Sequence, residues 1–397
     1  MTGLSLALSL GSGRRIPTPW SIMGANLAVF HDLQSPANVF KDEMGTPAAV
    51  GDPVYMVADV ASWQGKAMEA VLAEASDLKS TGAVTVIGAP SAGSYNTSSG
   101  QFLLPRGDVN NYNYLNFGGL VNGAIYAITL TNTGTTSFGV RTNFNATSIR
   151  SVLSGQTKTV YASPANGGLT VISETNGQPA IGTITAIKLL PGCHMAQLTA
   201  ANRPILRQNA TTGARYLETD GVDDGMLTRA LDLSAKSRLG LFTAYRKLSD
   251  VAGAILIEHG RGGVDASAWS LQSPRSAAIF RPALQIRTST TDVAGKQGEN
   301  TAAPVTQVVS GAADYAGATL ADKVQFRTNG VVGTVTESAG AAVTGTFGNW
   351  PLSYFQRQGG TSPFTGHYYG DMILTETPTA AQIAWAESYY NRLAAAF

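Results

Sequence analysis

The sequence predicts an all-β protein: two β-sandwich (jelly-roll) domains and a short C-terminal α-helix. Three observations lead there. Charged residues are only 13% of the 397 and glycines number 44, a balance that suits strands and turns better than helical bundles. Short runs alternating apolar and polar residues recur between Gly, Asn or Pro turns, at the spacing of sandwich strands. Helical spacing appears clearly only at the C-terminal end.

The N-terminal segment, residues 1–25, reads as a tail. Leu4, Leu6, Leu8 and Leu10 alternate with Ser5, Ala7 and Ser9, which suits a strand added to a neighbour's sheet; a frayed terminus is the other reading. Arg14-Arg15 follow this apolar run instead of preceding it, so the segment is expected to be a mature element and not a secretory signal. Residues 26–70 read as a strand, a loop and a strand. In 71–193, six alternating runs mark a second all-β unit; Tyr126, Ile128 and Leu130 form one buried face against Ala127 and Thr129. From Arg215 onward strands recur. Asn202-Arg203-Pro204 reads as an exposed linker. Asp220-Gly221 and Asn329-Gly330 are hairpin dipeptides, because glycine accepts positive φ at no steric cost. Near the end, Thr379 and Gln382 form a capping box. Ile383, Ala386, Tyr390, Leu393 and Phe397 then give one apolar stripe facing the core.

Several functions are disfavoured. The net charge of +1, with no basic cluster beyond Arg14-Arg15, leaves no footprint for nucleic acid. No run approaches the roughly 20 apolar residues of a membrane-spanning helix. Cys193 is the single cysteine, so neither an internal disulfide nor a thiolate zinc site is expected. Around Ser91, Ala89 stands where a nucleophile elbow needs glycine. Gly260-Arg261-Gly262-Gly263 lacks the third glycine of a dinucleotide fingerprint. His31, His194, His259 and His367 have no metal-ligand spacing and read as structural residues.

Two constellations remain. Glu218, Asp220 and Asp223 approximate the E-x-D-x-x-E strand of concanavalin A-like glycoside hydrolases, where two carboxylates on one face act as nucleophile and acid. Gly221 interrupts the strand and the third acid is a methylene short. Asp220, Asp223 and Asp224 could alternatively hold Ca²⁺ at a sandwich rim, or serve as turn-stabilising Asx residues. Sugar binding calls for exposed aromatics beside amides. Tyr95, Asn111, Tyr112 and Tyr114 offer this in the 71–193 unit; Asn349, Trp350 and Tyr354 offer it in the rest.

Four stretches carry a family resemblance: residues 197–227, above all RYLETDGVDD; 27–54, with VFKD, GTP and VGDPV; ITAIKLLPGCHMAQ at 184–197; and DMILTETPTAAQIAWAESYYNRL at 371–393. Together they resemble bacteriophage (or phage-like particle) fibre, spike and tail proteins. These have a laminin-G/concanavalin A-like domain, here 26–70 plus 194–397, and an inserted carbohydrate-binding-module-like β-sandwich, here 71–193. The resemblance implies a virion adhesin assembled in the bacterial cytoplasm and exposed on the particle. It would bind host cell-surface polysaccharide and dock on other virion proteins through residues 1–25. A homo-oligomer is implied, with a trimer among the options although no heptad encodes one. Membrane insertion and catalysis are not implied, and Ca²⁺ is the one cofactor candidate. In this family the Glu218–Asp220 word is structural. A head-decoration or minor tail protein without glycan affinity is the alternative, and a glycoside hydrolase a third.

Overall fold

The computed structural model describes residues 18–396 apart from 81–83, 89–92, 107–112, 143–147, 165–167, 262–263, 277–279, 290 and 340–342. The expected strand at Leu4–Leu10, with Ser91, Asn111, Tyr112 and Phe397, lies outside the described residues.

The protein is built from stacked antiparallel sheets with a C-terminal helix, the predicted class. Strands between residues 84 and 189 pair only among themselves. One five-stranded sheet runs Ser148–Val152, Phe138–Arg141, Leu169–Ser173, Tyr114–Phe117, Val84–Ile87; its partner runs Thr157–Ala162, Tyr126–Asn132, Ala180–Leu189, Gln101–Leu104, Ser94–Tyr95. Their inner faces share a core that includes Phe117, Ile128, Leu130, Phe138 and Val171.

Strands before residue 58 and after 194 form the larger sandwich. In its eight-stranded sheet, Thr365–Leu374 is central. Arg238–Lys247 lies on one side; Arg215–Asp220 and Leu27–His31 share the other. The ten-stranded sheet carries Met226–Asp232, Asn349–Tyr354, Ile255–His259 and Trp269–Gln272 in its middle. Leu241, Tyr245, Tyr368 and Ile373 from the first sheet meet Ile257, Trp269, Leu352 and Tyr354 from the second. Each fully buried Leu, Ile or Phe adds about 1.5–3 kcal/mol.

The eight-stranded sheet is covered on its other face too. Ala386, Tyr390 and Ala394 of the helix Ala380–Ala394 pack there with Phe242, Met372 and Phe30. This is why Arg238–Lys247 lacks the alternation of a half-exposed strand. The capping box is present: Thr379 Oγ1 accepts the Gln382 N–H and Gln382 Oε1 accepts the Thr379 N–H. Gln382 also donates to Ile22 O at 3.1 Å, fastening the short helix Pro19–Met23.

The two hairpin dipeptides diverge. Asn329 and Gly330, at φ 51° and 77°, join directly paired strands, Val324–Thr328 and Val331–Val332, as a two-residue positive-φ turn should. Asp220-Gly221 does not make a hairpin. Arg215–Asp220 belongs to the eight-stranded sheet and Met226–Asp232 to the ten-stranded one, so this turn carries the chain across the sandwich. Gly221 is required there: φ is +76°, and a Cβ would lie 1.8 Å from Thr365 Oγ1.

Candidate functional site

The two sandwiches meet along a seam fixed by their connecting strands. The chain leaves the larger sandwich near Asp59 and returns near His194. The Asp59 N–H donates to His194 Nδ1 at 2.9 Å, and the Cys193 N–H to Asp59 Oδ2 at 2.8 Å. The Trp63 indole donates to Pro191 O at 2.9 Å. Burial pushes the Asp59 carboxyl up, while His31 and the N–H groups of Cys193, Phe30 and Ala61 favour its charged form. Further along, the Tyr161 N–H donates to Glu43 O at 2.7 Å and the Tyr55 hydroxyl to Tyr161 O at 2.9 Å. The loop at Gly123 rests on the strand Met226–Asp232, where a Cβ would come within 2.8 Å of Thr228 O and Arg229 Cα.

Two chambers open on this seam. The first, about 450 Å³, is lined by apolar Leu198, Met226, Leu227 and Pro164 and by polar Asn122, Gln197, Thr199, Gln356 and Gln358. Its one cation among the described residues, Arg357, lies 3.2 Å from the buried Glu258 carboxylate. Gln356 Oε1 is buried without a hydrogen-bond partner, a deficit that costs about 1–3 kcal/mol. The second chamber, about 430 Å³, is lined by Thr142, Ser148, Ile149, Ala200 and Arg203, and shares Leu198 and Thr199 with the first. Here Arg203 pairs with Glu43 at 2.7 Å and stacks over Tyr55 at 5.0 Å. Arg203 is thus an internal clamp, where the sequence suggested an exposed linker.

The predicted sugar-binding residues do not converge on the seam. Tyr354 is fully buried in the sandwich core and donates to Asp371; strand alternation gave its period but not which face was covered, and it cannot meet a ligand. Trp350 is half-buried over Gly260 and Gly348, its indole donating to Ala266 O at 2.9 Å. Asn349 beside it is exposed. Tyr95 pairs in register with the core residue Phe102, so both leave the sheet on one face. Its hydroxyl donates to Lys79 O at 3.0 Å, and Tyr95 itself lines an outer groove of about 720 Å³ with Asn96, Gln101, Leu103 and Ile181. Tyr114 alternates with buried Leu115 and is half-exposed on the outer face.

The acidic word resolves into turn chemistry. Glu218 is ion-paired with Arg207 of the neighbouring strand. Asp220 Oδ1 accepts the Val222 N–H at 2.8 Å, and Asp224 Oδ2 accepts the Asp220 N–H at 2.8 Å. Neither Glu218 nor Asp220 lines the seam chambers. Asp220, Asp223 and Asp224 bring carboxylate oxygens within 4.8 Å of one another, a spacing compatible with a hard cation. Burial pushes Asp224 up to about 6 despite its bond from the Asp220 N–H, and the two neighbouring acids add to the rise.

The histidines are structural. His31 Nδ1 faces Asp371 at 2.7 Å and Nε2 faces Cys193 O at 2.9 Å, so the doubly protonated ring satisfies both acceptors. His194 accepts from Asp59 N–H, His259 donates to Leu231 O at 3.0 Å, and His367 stacks on Tyr216 at 4.2 Å. The seam was not foreseen from sequence. Its residues are ordinary Gln, Thr and Leu scattered from Thr142 to Gln358, and only the fold brings them together.

Neither a family model nor a curated protein matches the chain. Among solved structures, it is similar to the carbohydrate-binding module of the Ruminococcus gnavus IT-sialidase bound to α2,3-sialyllactose: 15% identity over 44% of this chain and 95% of that one, TM-score 0.32. It is also similar to an arabinofuranosidase complexed with arabinofuranosyl-α-1,2-xylobiose: 12% identity over 69% of this chain and 63% of that one, TM-score 0.33. At these scores the likeness assigns neither ligand nor activity to this chain.

Proposed function

We propose that this chain is a non-catalytic glycan-binding adhesin of a bacteriophage or phage-like particle, with the seam between its sandwiches as the saccharide site. The carrying observation is the first chamber: a preformed cleft of about 450 Å³ whose lining mixes apolar side chains with amides and hydroxyls, and in which the one arginine among the described residues is already paired. Such a lining suits a neutral polyol, whose C–H faces need apolar contact and whose hydroxyls need fixed donors and acceptors. Gln356 and Gln358 add side-chain amides to that lining. The particle assignment is supported by the phage-fibre resemblance at 197–227 and 371–393. On a particle, weak binding at one site is multiplied by copy number.

The test is binding of the purified chain to host-like cells and to their isolated capsule or lipopolysaccharide, with released reducing sugar measured in parallel. Binding without release is expected, weakened by Gln356→Ala. Sugar release abolished by Glu218→Gln would replace this reading with the hydrolase. No binding even at high surface density would leave a structural component of the particle.

A further inference from the structure

The two seam chambers meet at one ridge, Leu198-Thr199. We infer that a single extended, uncharged oligosaccharide lies across this ridge and occupies both chambers, so that the site reads an internal stretch of polymer and not one terminal sugar. This rests on the glycan-binding reading above and specifies its ligand class.

The ridge is a fixed element between the chambers. Gln197 Oε1 accepts the Thr199 N–H at 3.0 Å while its amide nitrogen donates to Gly225 O. Arg203 Nε donates to Gln197 O at 3.1 Å from the other side. A ligand entering either chamber therefore meets the same rigid crest, with Leu198 44% exposed upon it.

Charge sets the ligand class. The arginine in each chamber is already engaged, Arg357 by Glu258 at 3.2 Å and Arg203 by Glu43 at 2.7 Å. A ligand carboxylate or sulfate would have to displace a protein carboxylate, one of them wholly buried. Hydroxyls and amides remain: Gln356 and Gln358 in the first chamber, Thr142 and Ser148 in the second, Thr199 between them.

Length follows from what is missing. Among the described residues, the first chamber has no aromatic residue in its lining, and the Tyr55 ring in the second is buried beneath Arg203. Without a stacking platform each sugar gains little, and affinity has to accumulate over several residues against a binding cost paid once.

The experiment titrates the full chain, by calorimetry, with neutral oligosaccharides of one, two, four and six residues cut from a bound host-type polysaccharide. Affinity is expected to rise roughly tenfold or more between two and six residues. Ala200→Arg, at an exposed position lining only the second chamber, should erase that gain. Gln358→Met, exposed in the first chamber, should weaken every length. Equal affinity for one and six residues, or tighter binding of an acidic oligosaccharide of the same length, overturns the inference while glycan binding stands. Binding of no oligosaccharide sinks both. The wild-type length series alone decides the matter if a variant fails to fold.

Discussion

At the scale of single residues, the most constrained group is Asp371. Its carboxylate, fully buried, accepts from His31 at 2.7 Å, Tyr354 at 3.0 Å and Tyr368 at 2.6 Å. Three donors from three strands converge on one acceptor, so removing its charge strips His31 of the carboxylate it is hydrogen-bonded to in a dry interior. Asp371→Asn should cost about 3–5 kcal/mol, read as a lower urea midpoint at unchanged slope. Cys193 gives a second prediction. It is buried, and burial with the nearby Asp59 charge pushes its thiol up to about 11. The native protein should resist thiol reagents at neutral pH, and unfolding should release one reactive group per chain. The sequence conveyed that the histidines lack ligand spacing. It did not convey that Tyr354 points inward: alternation fixes which residues share a face, and only the opposing sheet decides which face is dry.

Secondary-structure elements separate local from non-local information. The closing helix was legible because its capping box lies within four residues and its stripe follows a single period. Thr379→Ala removes the cap from Gln382 N–H and should lower stability by about 1 kcal/mol, measurable by thermal or urea unfolding. Asn329-Gly330 and Asp220-Gly221 look alike in sequence, yet only the first joins paired strands. A dipeptide with positive φ reverses or redirects the chain; the partner that the following strand takes is set by distant residues. Here Leu217 pairs with Tyr368 and Met226 with Tyr354, each across more than a hundred positions.

At the scale of the whole molecule, buried histidines set the pH response, one of them, His194, at the seam and another, His259, inside the larger sandwich. His194 binds the Asp59 N–H through an unprotonated Nδ1, and burial pushes its pKa down to about 3; burial likewise takes His259 down to about 4. In the unfolded chain both titrate near 6.5. The native state then binds fewer protons than the unfolded state below that pH. The stability they contribute is complete above pH 6.5 and is lost as pH falls through 4 and 3. His31 runs the other way: burial lowers its pKa, but the charge and hydrogen bond of Asp371 outweigh this and leave it raised. Its contribution is complete below pH 6.5 and is lost as pH rises through its native value. Melting temperature should therefore fall on acidification below pH 6.5, and His259→Asn should flatten that fall. An unchanged acid limb in His259→Asn would contradict the assignment.

What the sequence determined by itself was the class of fold, the closing helix and its cap, and the tight turn at Asn329-Gly330, because each is written in residues a few positions apart. The sheet in which each strand lies, the burial of Tyr354, the role of Arg203 as an internal clamp and the paired chambers of the seam were decided only by tertiary structure. These depend on contacts such as Glu43 with Arg203, Gly123 with Thr228 and Asp59 with His194, whose partners come from separate passages of the chain and carry no mark of each other in composition, period or spacing.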